Sequence, residues 1–359
     1  MPSDLSADAP AIDDARGAAP PGNPVTSLAD PRLTALGKPL SFRAGFEWVQ
    51  ACDLCGHDGF TPRKIYPEYL LFTGERFQLV ACQRCQLHFL SPRPDAATIG
   101  EYYPADYGAH QNVPRPLRPW QRAAGGQGAP PPGPLGRLHL YLRQQVSWYF
   151  IPPFERGGRV LDIGCGSGKL LDTLKHLGWE THGVEVAPSA VERACAKGHQ
   201  VTVGTAETEA HDDGAFDVVY MWHVLEHTHH PSRALANAHR YLKPDGRFYL
   251  CVPNYRSLHA SLFGRYWWST DAPRHLYQFD RRTIRAYLER AGFRDIQITT
   301  RTGASSWWRG LRHTCNGWFG TRFQQDPSWA LDAMESLVVT SALVRFLGAG
   351  SELRISCRK

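Results

Sequence analysis

Residues 160–171, with the sequence VLDIGCGSGKLL, constrain the fold of this chain more than any other stretch. An apolar run containing one acid, Asp162, is followed by glycine at three alternate positions, Gly164, Gly166 and Gly168, and then by the start of a helical pattern. Glycine lacks a Cβ and suits a turn whose backbone is unusual and approaches a ligand closely. A helix N-terminus beyond it offers free N–H groups and partial positive charge. The segment therefore predicts a strand, a glycine turn and a helix around a ligand.

The spacing of the glycines and one later acid narrow the kind of ligand. The dinucleotide-binding fingerprint is G-x-G-x-x-G, whereas here the third glycine follows the second by two positions, which argues against NAD. Glu185 stands near the end of an apolar run, where an acidic side chain can bind both hydroxyls of a ribose. Asp162, the three glycines and Glu185 together resemble the S-adenosylmethionine (SAM) site of class I methyltransferases. The alternative is a glycine-rich turn without a ligand.

The hydrophobic pattern around this segment alternates between short strands and helices. We expect strands near 159–163, 181–186, 200–203, 216–221 and 247–252, and helices near 168–177, 188–197 and 231–242. This alternation predicts an α/β fold with a mostly parallel, Rossmann-like sheet and helices on both faces. Two later strands, at 294–302 and at the C-terminus, complete the expected class I methyltransferase sheet, the last one antiparallel. Ligands bind such sheets at the carboxyl ends of the strands.

Two further strand ends supply candidate cofactor contacts. The turn after the third strand contains Ala206 and Glu207, where the resemblance implies contacts to adenine, although Thr205 stands where such methyltransferases often have Asp. The fourth strand runs directly into HVLEH, which begins at His223. H-x-x-E-H is also a zinc-peptidase motif, but a peptidase carries it inside a helix. We therefore interpret this turn, with His223, as a cap on the cofactor pocket beside the methionine end.

An N-terminal module, residues 41–107, contains two C-x-x-C pairs. The four cysteines are Cys52, Cys55, Cys82 and Cys85. Pairs at this spacing place four thiolates around one tetrahedral Zn²⁺, which predicts a small zinc-ribbon-like module with a structural zinc and no open coordination site. Gly56 supports the first turn, whereas Gln86 stands where the second would usually have glycine. The alternative is two unrelated redox pairs.

The segment after the fifth strand is where methyltransferases of this kind receive their substrate. There Asp280 caps a predicted helix, and His275 precedes it. In related sugar methyltransferases with a cysteine-rich N-terminal module, a histidine before this helix lies at the reacting centre. The resemblance therefore makes His275 the candidate general base, a role suited to imidazole. The alternative is a histidine that only holds the loop by hydrogen bonds.

The motifs FDVV, HVLEH, YLKPDG and VPN, in this order, resemble the common bacterial class I methyltransferases that act on small molecules, over about residues 158–300. The resemblance implies methyl transfer, most readily to oxygen, on a sugar, a polysaccharide precursor or a secondary metabolite. The alternative is an RNA methyltransferase whose zinc module binds RNA. The formal net charge is +6, but no dense cluster of Lys and Arg accompanies it, so a nucleic-acid partner is not expected.

The remaining segments have simpler expectations. Residues 1–40 predict a disordered tail without a secretion signal, and 108–134 a Pro/Gly-rich linker. Residues 135–359 form the expected methyltransferase domain, beginning with an amphipathic helix and carrying a tryptophan-rich cap insertion at about 303–349, with peripheral membrane contact as the alternative. The chain has nine cysteines, an odd number, and no secretion signal is recognised. We therefore expect a cytoplasmic protein whose cysteines are free thiols or metal ligands. No particular oligomeric state is indicated.

Overall fold

The computed structural model describes residues 45–71, 73–103, 157–302, 310–315, 319 and 348–359. The N-terminal strands are β1 (Phe46–Glu47), β2 (Phe60–Pro67), β3 (Arg76–Cys82), β4 (His88–Leu90) and β5 (Arg93–Pro94). The later elements are β6 (Arg159–Ile163), α1 (Lys169–His176), β7 (Glu180–Glu185), α2 (Pro188–Ala196), β8 (Gln200–Val203), β9 (Phe216–Trp222), α3 (Pro231–Tyr241), β10 (Leu242–Pro253), α4 (Leu258–Phe263), β11 (Tyr277–Gln278), α5 (Arg281–Arg290), β12 (Arg294–Arg301) and β13 (Glu352–Arg358).

The central sheet has seven strands in the order β12-β13-β10-β9-β6-β7-β8. Strands β6 to β10 pair in parallel, and β13 runs antiparallel to both β10 and β12. The predicted Rossmann-like, mostly parallel sheet is confirmed, as is the antiparallel last strand. The fifth predicted strand begins earlier than expected, because Leu242 already pairs with Phe216 before a shift of register that ends at Arg247.

Alternating side chains of β9 fill the two sides of the sheet, as period two requires. Val218 and Tyr220 pack with Leu170 and Leu174 of α1 on one side. Val219 and Met221 belong to the larger core on the other side, which includes buried residues of α3 and α5. Burying one such aliphatic side chain contributes about 2 kcal/mol. The helices are therefore fixed on the sheet, and the sheet fixes where its strands end.

The N-terminal part and the later part of the chain share a second sheet. Its order is β11-β4-β3-β2, and β11 pairs with β4 through Tyr277↔Phe89 and Gln278↔His88. Since β11 begins two residues after His275, this pairing ties the loop that carries His275 to the N-terminal part. The same sheet therefore determines where that loop lies.

Several predicted segments lie outside the described residues. These are the tail 1–40, the linker 108–134, the amphipathic helix expected over 135–152 and most of the cap insertion 303–349. Among the residues that are described, no helix combines the length and the apolar character needed to cross a bilayer.

Candidate active site

The glycine turn after β6 adopts a backbone that glycine accommodates most easily. Gly164, Gly166 and Gly168 have φ angles of 75°, 55° and 84°, in the left-handed region that residues with a Cβ disfavour. At Gly164 a Cβ would also lie 2.3 Å from Cγ2 of Val224. A larger residue at Gly164 is therefore opposed both by its own backbone and by the segment that follows β9.

Glu185, the last residue of β7, holds this turn in place. Its Oε2 accepts a hydrogen bond from the Gly166 N–H at 2.8 Å, and its Oε1 accepts one from the Ala187 N–H at 3.0 Å. Asp162 lies on β6, where burial and then the charge of Glu185 raise its pKa well above the usual range. The structure thus brings Asp162, the three glycines and Glu185 together at the carboxyl edge of the sheet, and we call this set the glycine side.

The turn after β8 lies against the glycine side. The Gly204 N–H donates to the main-chain carbonyl of Glu185 at 3.0 Å, and Ala206 is buried. The Glu207 carboxylate accepts a hydrogen bond from the His230 N–H, 2.6 Å away, at the start of α3. The two residues expected near adenine therefore follow a strand end beside Glu185, and one oxygen of Glu207 is engaged by the chain itself.

The HVLEH turn, residues 223–227, does not lie in an α-helix. Strand β9 ends at Trp222, and only the last three residues of the motif form a short 3₁₀ helix. His223 has a φ of 54°, and its Nδ1 is 3.0 Å from Oε1 of Glu226 while its Nε2 is 3.7 Å from Oε1 of Glu352. Burial lowers the pKa of His223, but Cys251 and the two carboxylates outweigh burial and raise it well above its usual range. His223 is thus a partly buried cation between two acids.

His275 lies in the loop before β11 and is 5% exposed. Its Nδ1 is 2.8 Å from the main-chain carbonyl of Ser269, which assigns the proton to Nδ1 and leaves a lone pair on Nε2. Nε2 lies 3.9 Å from Oδ2 of Asp271, and the ring of His227 is 4.6 Å away, edge to face. The side chain is therefore held in the tautomer that a general base requires at Nε2.

Two charged residues beside His275 were not identified from the sequence. Asp271 is paired with Arg274, with Nη2 2.7 Å and Nε 3.0 Å from Oδ1. Burial raises the pKa of Asp271, but Arg274 and His275 outweigh burial and lower it. The only signal in the sequence is that an acidic residue, Asp271, and a basic residue, Arg274, lie within four positions of His275.

His227 completes this group. Its Nδ1 is 2.8 Å from the Tyr103 hydroxyl and 3.0 Å from the Arg274 carbonyl, and burial and then His275 lower its pKa to about 4. We call Tyr103, His227, Asp271, Arg274 and His275 the histidine side. His227 was seen in the sequence only as part of a motif.

The HVLEH turn connects the glycine side with the histidine side. Val224 packs on Gly164, and the Leu276 N–H donates to the Glu226 carbonyl at 2.8 Å. A ligand bound at the glycine side therefore lies across one short turn from the loop that carries His275.

The four cysteines of the N-terminal part converge. Their sulfur atoms all lie within 4.8 Å of one another, with Cys52 to Cys85 and Cys55 to Cys82 both at 3.5 Å. In a tetrahedral Zn²⁺ site the sulfur atoms are about 3.8 Å apart, as follows from a Zn–S bond of about 2.3 Å. The set therefore fits a four-thiolate metal site.

Gln86 explains how the second cysteine turn forms without glycine. Gly56 and Gln86 both have positive φ angles, 72° and 60°, so the two turns have the same backbone form. The Gln86 side chain donates from Nε2 to the carbonyls of Cys82 and Gln83, each at 3.1 Å. These bonds offset part of the strain of a left-handed residue other than glycine.

Comparison with known proteins finds similarity over the part of the chain that contains the glycine side and all of the histidine side except Tyr103. Residues 137–298 match the family model described as a methyltransferase domain. The chain is similar to proteins named ubiquinone biosynthesis O-methyltransferase: one from Pseudomonas aeruginosa (strain LESB58) is 37% identical over 137 residues, covering 35% of this chain and 57% of that protein. One from Xanthomonas oryzae pv. oryzae (strain PXO99A) is 32% identical over 129 residues, covering 34% and 54%. The chain thus spans about half the length of these relatives.

Among solved structures, the chain is similar to a SAM-dependent methyltransferase from Archaeoglobus fulgidus. The TM-score is 0.40 with 21% sequence identity, and the match covers 62% of this chain and 91% of that one.

Proposed function

We propose that this chain, which carries a class I SAM-dependent methyltransferase domain, transfers the methyl group of SAM to a hydroxyl oxygen of a small molecule. The observation that carries the proposal is the meeting of the glycine side and the histidine side across the HVLEH turn. One side offers a cofactor cradle and the other a lone pair that can accept a proton. The names of the curated relatives also support transfer to oxygen.

The residues of the glycine side fit SAM. Glu185 uses one lone pair of each oxygen for main-chain N–H groups, so each oxygen has capacity for a ribose hydroxyl. Asp162 and Glu185 also place two acids in one buried location, where the positive sulfonium and amino groups of SAM would stabilise their negative charge. In this assignment Ala206 and Glu207 border the adenine, and His223 lies beside the methionine end.

Methyl transfer needs alignment and removal of one proton. The substrate oxygen attacks the methyl carbon in line with the breaking C–S bond, so that an O–C bond forms and S-adenosylhomocysteine leaves. The hydroxyl proton passes to Nε2 of His275, 3.9 Å from the Asp271 carboxylate. Asp271 then stabilises the resulting imidazolium.

The acceptor belongs to the sugars, polysaccharide precursors or secondary metabolites that the sequence resemblance implies. We further propose that Cys52, Cys55, Cys82 and Cys85 hold a structural zinc ion. With four thiolates such an ion has no open position for substrate. It would stabilise the N-terminal part, whose β4 carries β11.

The proposal is tested by supplying the purified chain with SAM labelled in its methyl group and, in separate reactions, a small-molecule extract or the total RNA of a strain from which the gene has been deleted. Mass spectrometry should find one small compound that gains a labelled methyl, and the same compound should accumulate without its methyl in the deletion strain. Transfer to RNA, or no transfer although SAM binds, would contradict the proposal.

A further inference from the structure

We propose that Glu68 and Arg274 are positioning residues: with Asp271 they form a buried charge chain that sets how readily His275 accepts a proton. The inference rests on the proposed function, since it concerns the proposed base of that site. It also assigns part of the site chemistry to the N-terminal part, because Glu68 follows strand β2.

The first link of the charge chain is an ion pair between segments far apart in the sequence. Both Nη1 and Nη2 of Arg274 lie 3.1 Å from Oε1 of Glu68, and the two side chains are 1% and 0% exposed. Burying two charges is costly unless their hydrogen bonds are satisfied. Glu68 also accepts from the N–H groups of Leu70 and Leu71, and Arg274 also donates to the Tyr102 carbonyl.

In the second link, the two carboxylate oxygens of Asp271 face different partners. Oδ1 accepts from Nη2 and Nε of Arg274, while Oδ2 lies 3.9 Å from Nε2 of His275. The main-chain N–H of His275 also donates a hydrogen bond to the main-chain carbonyl of Asp271 at 3.0 Å. Arg274 therefore holds the carboxylate by one oxygen and leaves the other facing the imidazole.

The other charged and titratable groups near His275 contribute little net charge. Glu226 faces it from the HVLEH turn, with a carboxylate oxygen within 4.8 Å of a ring nitrogen of His275, but is paired with the His223 cation. His227, which contacts the Tyr103 hydroxyl, is neutral at pH 7 because its pKa is lowered to about 4 by burial and by His275. What remains is the charge chain, in which two carboxylates and one guanidinium leave one net negative charge.

The signs of the expected effects follow from this charge. Glu68→Gln leaves the charge chain neutral, so the His275 imidazolium loses stabilisation, and Asp271→Asn does the same at closer range. Arg274→Gln leaves two uncompensated carboxylates and stabilises the imidazolium. If Glu68 and Arg274 had a purely structural role, Glu68→Gln and Arg274→Gln would instead impair the protein in the same way.

The test is the titration of His275 in the full chain with SAM bound, followed by ¹⁵N NMR, together with the pH profile of kcat. Glu68→Gln should move both the titration midpoint and the acid limb of kcat to lower pH by about half a unit or more, with the KM for SAM unchanged. Asp271→Asn should move them further, and Arg274→Gln should move them to higher pH. The matched control is Glu47→Gln, which removes a carboxylate from the buried Arg93 without touching the charge chain.

The inference would be overturned if Glu68→Gln and Arg274→Gln moved the titration midpoint of His275 in the same direction. It would also be overturned if Glu68→Gln and Glu47→Gln moved that midpoint equally. If Arg274→Gln does not fold, the comparison of the two glutamate variants still decides. The NMR titration needs no turnover. A chain that shows the predicted shifts but transfers no methyl group would therefore refute the proposed function and leave the charge chain standing.

Discussion

The glycine side and the histidine side of the candidate site are built in different ways. On the glycine side, the bond between Gly166 and Glu185 joins residues 19 positions apart. On the histidine side, the bonds between Arg274 and Glu68 span 206 positions, and that between Tyr103 and His227 spans 124. The first side is thus a local βαβ structure, while the second exists only when distant parts of the chain have packed together. The proposed cofactor cradle is therefore built locally, whereas the proposed acceptor site depends on contacts between distant parts of the chain.

The sharpest way to test this division is His275→Ala. If the two sides act separately, kcat should fall by about 10²- to 10⁴-fold, the usual contribution of a general base, while SAM affinity stays unchanged. Steady-state kinetics and calorimetry on one preparation measure both. His176→Ala, which removes an exposed histidine of α1, is the control. Undiminished kcat would exclude the base, and an equal loss of SAM affinity would show that the two sides are one unit.

The local half of the site could be predicted from the sequence and the other half could not. The glycines and Glu185 lie within one strand–turn–helix–strand unit, whose periodicity is readable, and the structure brings them together. Glu68 left no such sign, because its partner Arg274 lies 206 positions away and is brought to it by the packing of the N-terminal strands on β11. Asp271 and Arg274 are only three positions apart, but no hydrophobic period marks them. His275 was found only through resemblance to other methyltransferases.

The second prediction concerns the part of the chain that supports the histidine side. Metal analysis should find one zinc ion per chain, bound by the four cysteines. Cys52→Ser should lose the zinc and unfold in less denaturant, since metal binding contributes to the folding of such modules. It should also lower kcat more than SAM affinity, because β4 carries β11. Cys195→Ser, at an exposed cysteine, is the matched control. A purified chain without zinc, or equal stability of Cys52→Ser and Cys195→Ser, would contradict the proposed zinc site.

The third prediction contrasts the two sides by their dependence on pH. Burial lowers the pKa of His227 to about 4, whereas histidine in an unfolded chain has a pKa of about 6.5. The unfolded form therefore binds a proton first as pH falls, and stability should decrease between about pH 6.5 and pH 4, by up to about 3 kcal/mol for this residue. Asp162 acts in the opposite sense, because its pKa is raised. Urea unfolding of wild type and His227→Gln measures the effect, and a variant with the same pH dependence as wild type would contradict it.

The smallest effect is expected where the two sides touch. Gly164→Ala places a Cβ against Val224 and should cost about 1–3 kcal/mol of stability, from left-handed strain and overpacking together. Gly214→Ala is the control, since Gly214 also has a positive φ but no atom lies within 4 Å of its Cβ position. Adding Val224→Ala should recover part of the loss only in the first variant, as a double-mutant cycle would show. Equal costs at both glycines would mean that the contact is unimportant.

The central claim, that the glycine side binds SAM, is tested most directly by isothermal titration calorimetry with SAM. Wild type should bind one SAM per chain. Glu185→Ala should weaken binding by about tenfold or more, since it removes charge-assisted hydrogen bonds to the ribose and to Gly166. Glu180→Ala, at the exposed start of the same strand, should bind as wild type does. No binding of SAM by the wild-type chain, or equal affinity of the Glu185→Ala variant, would contradict the claim.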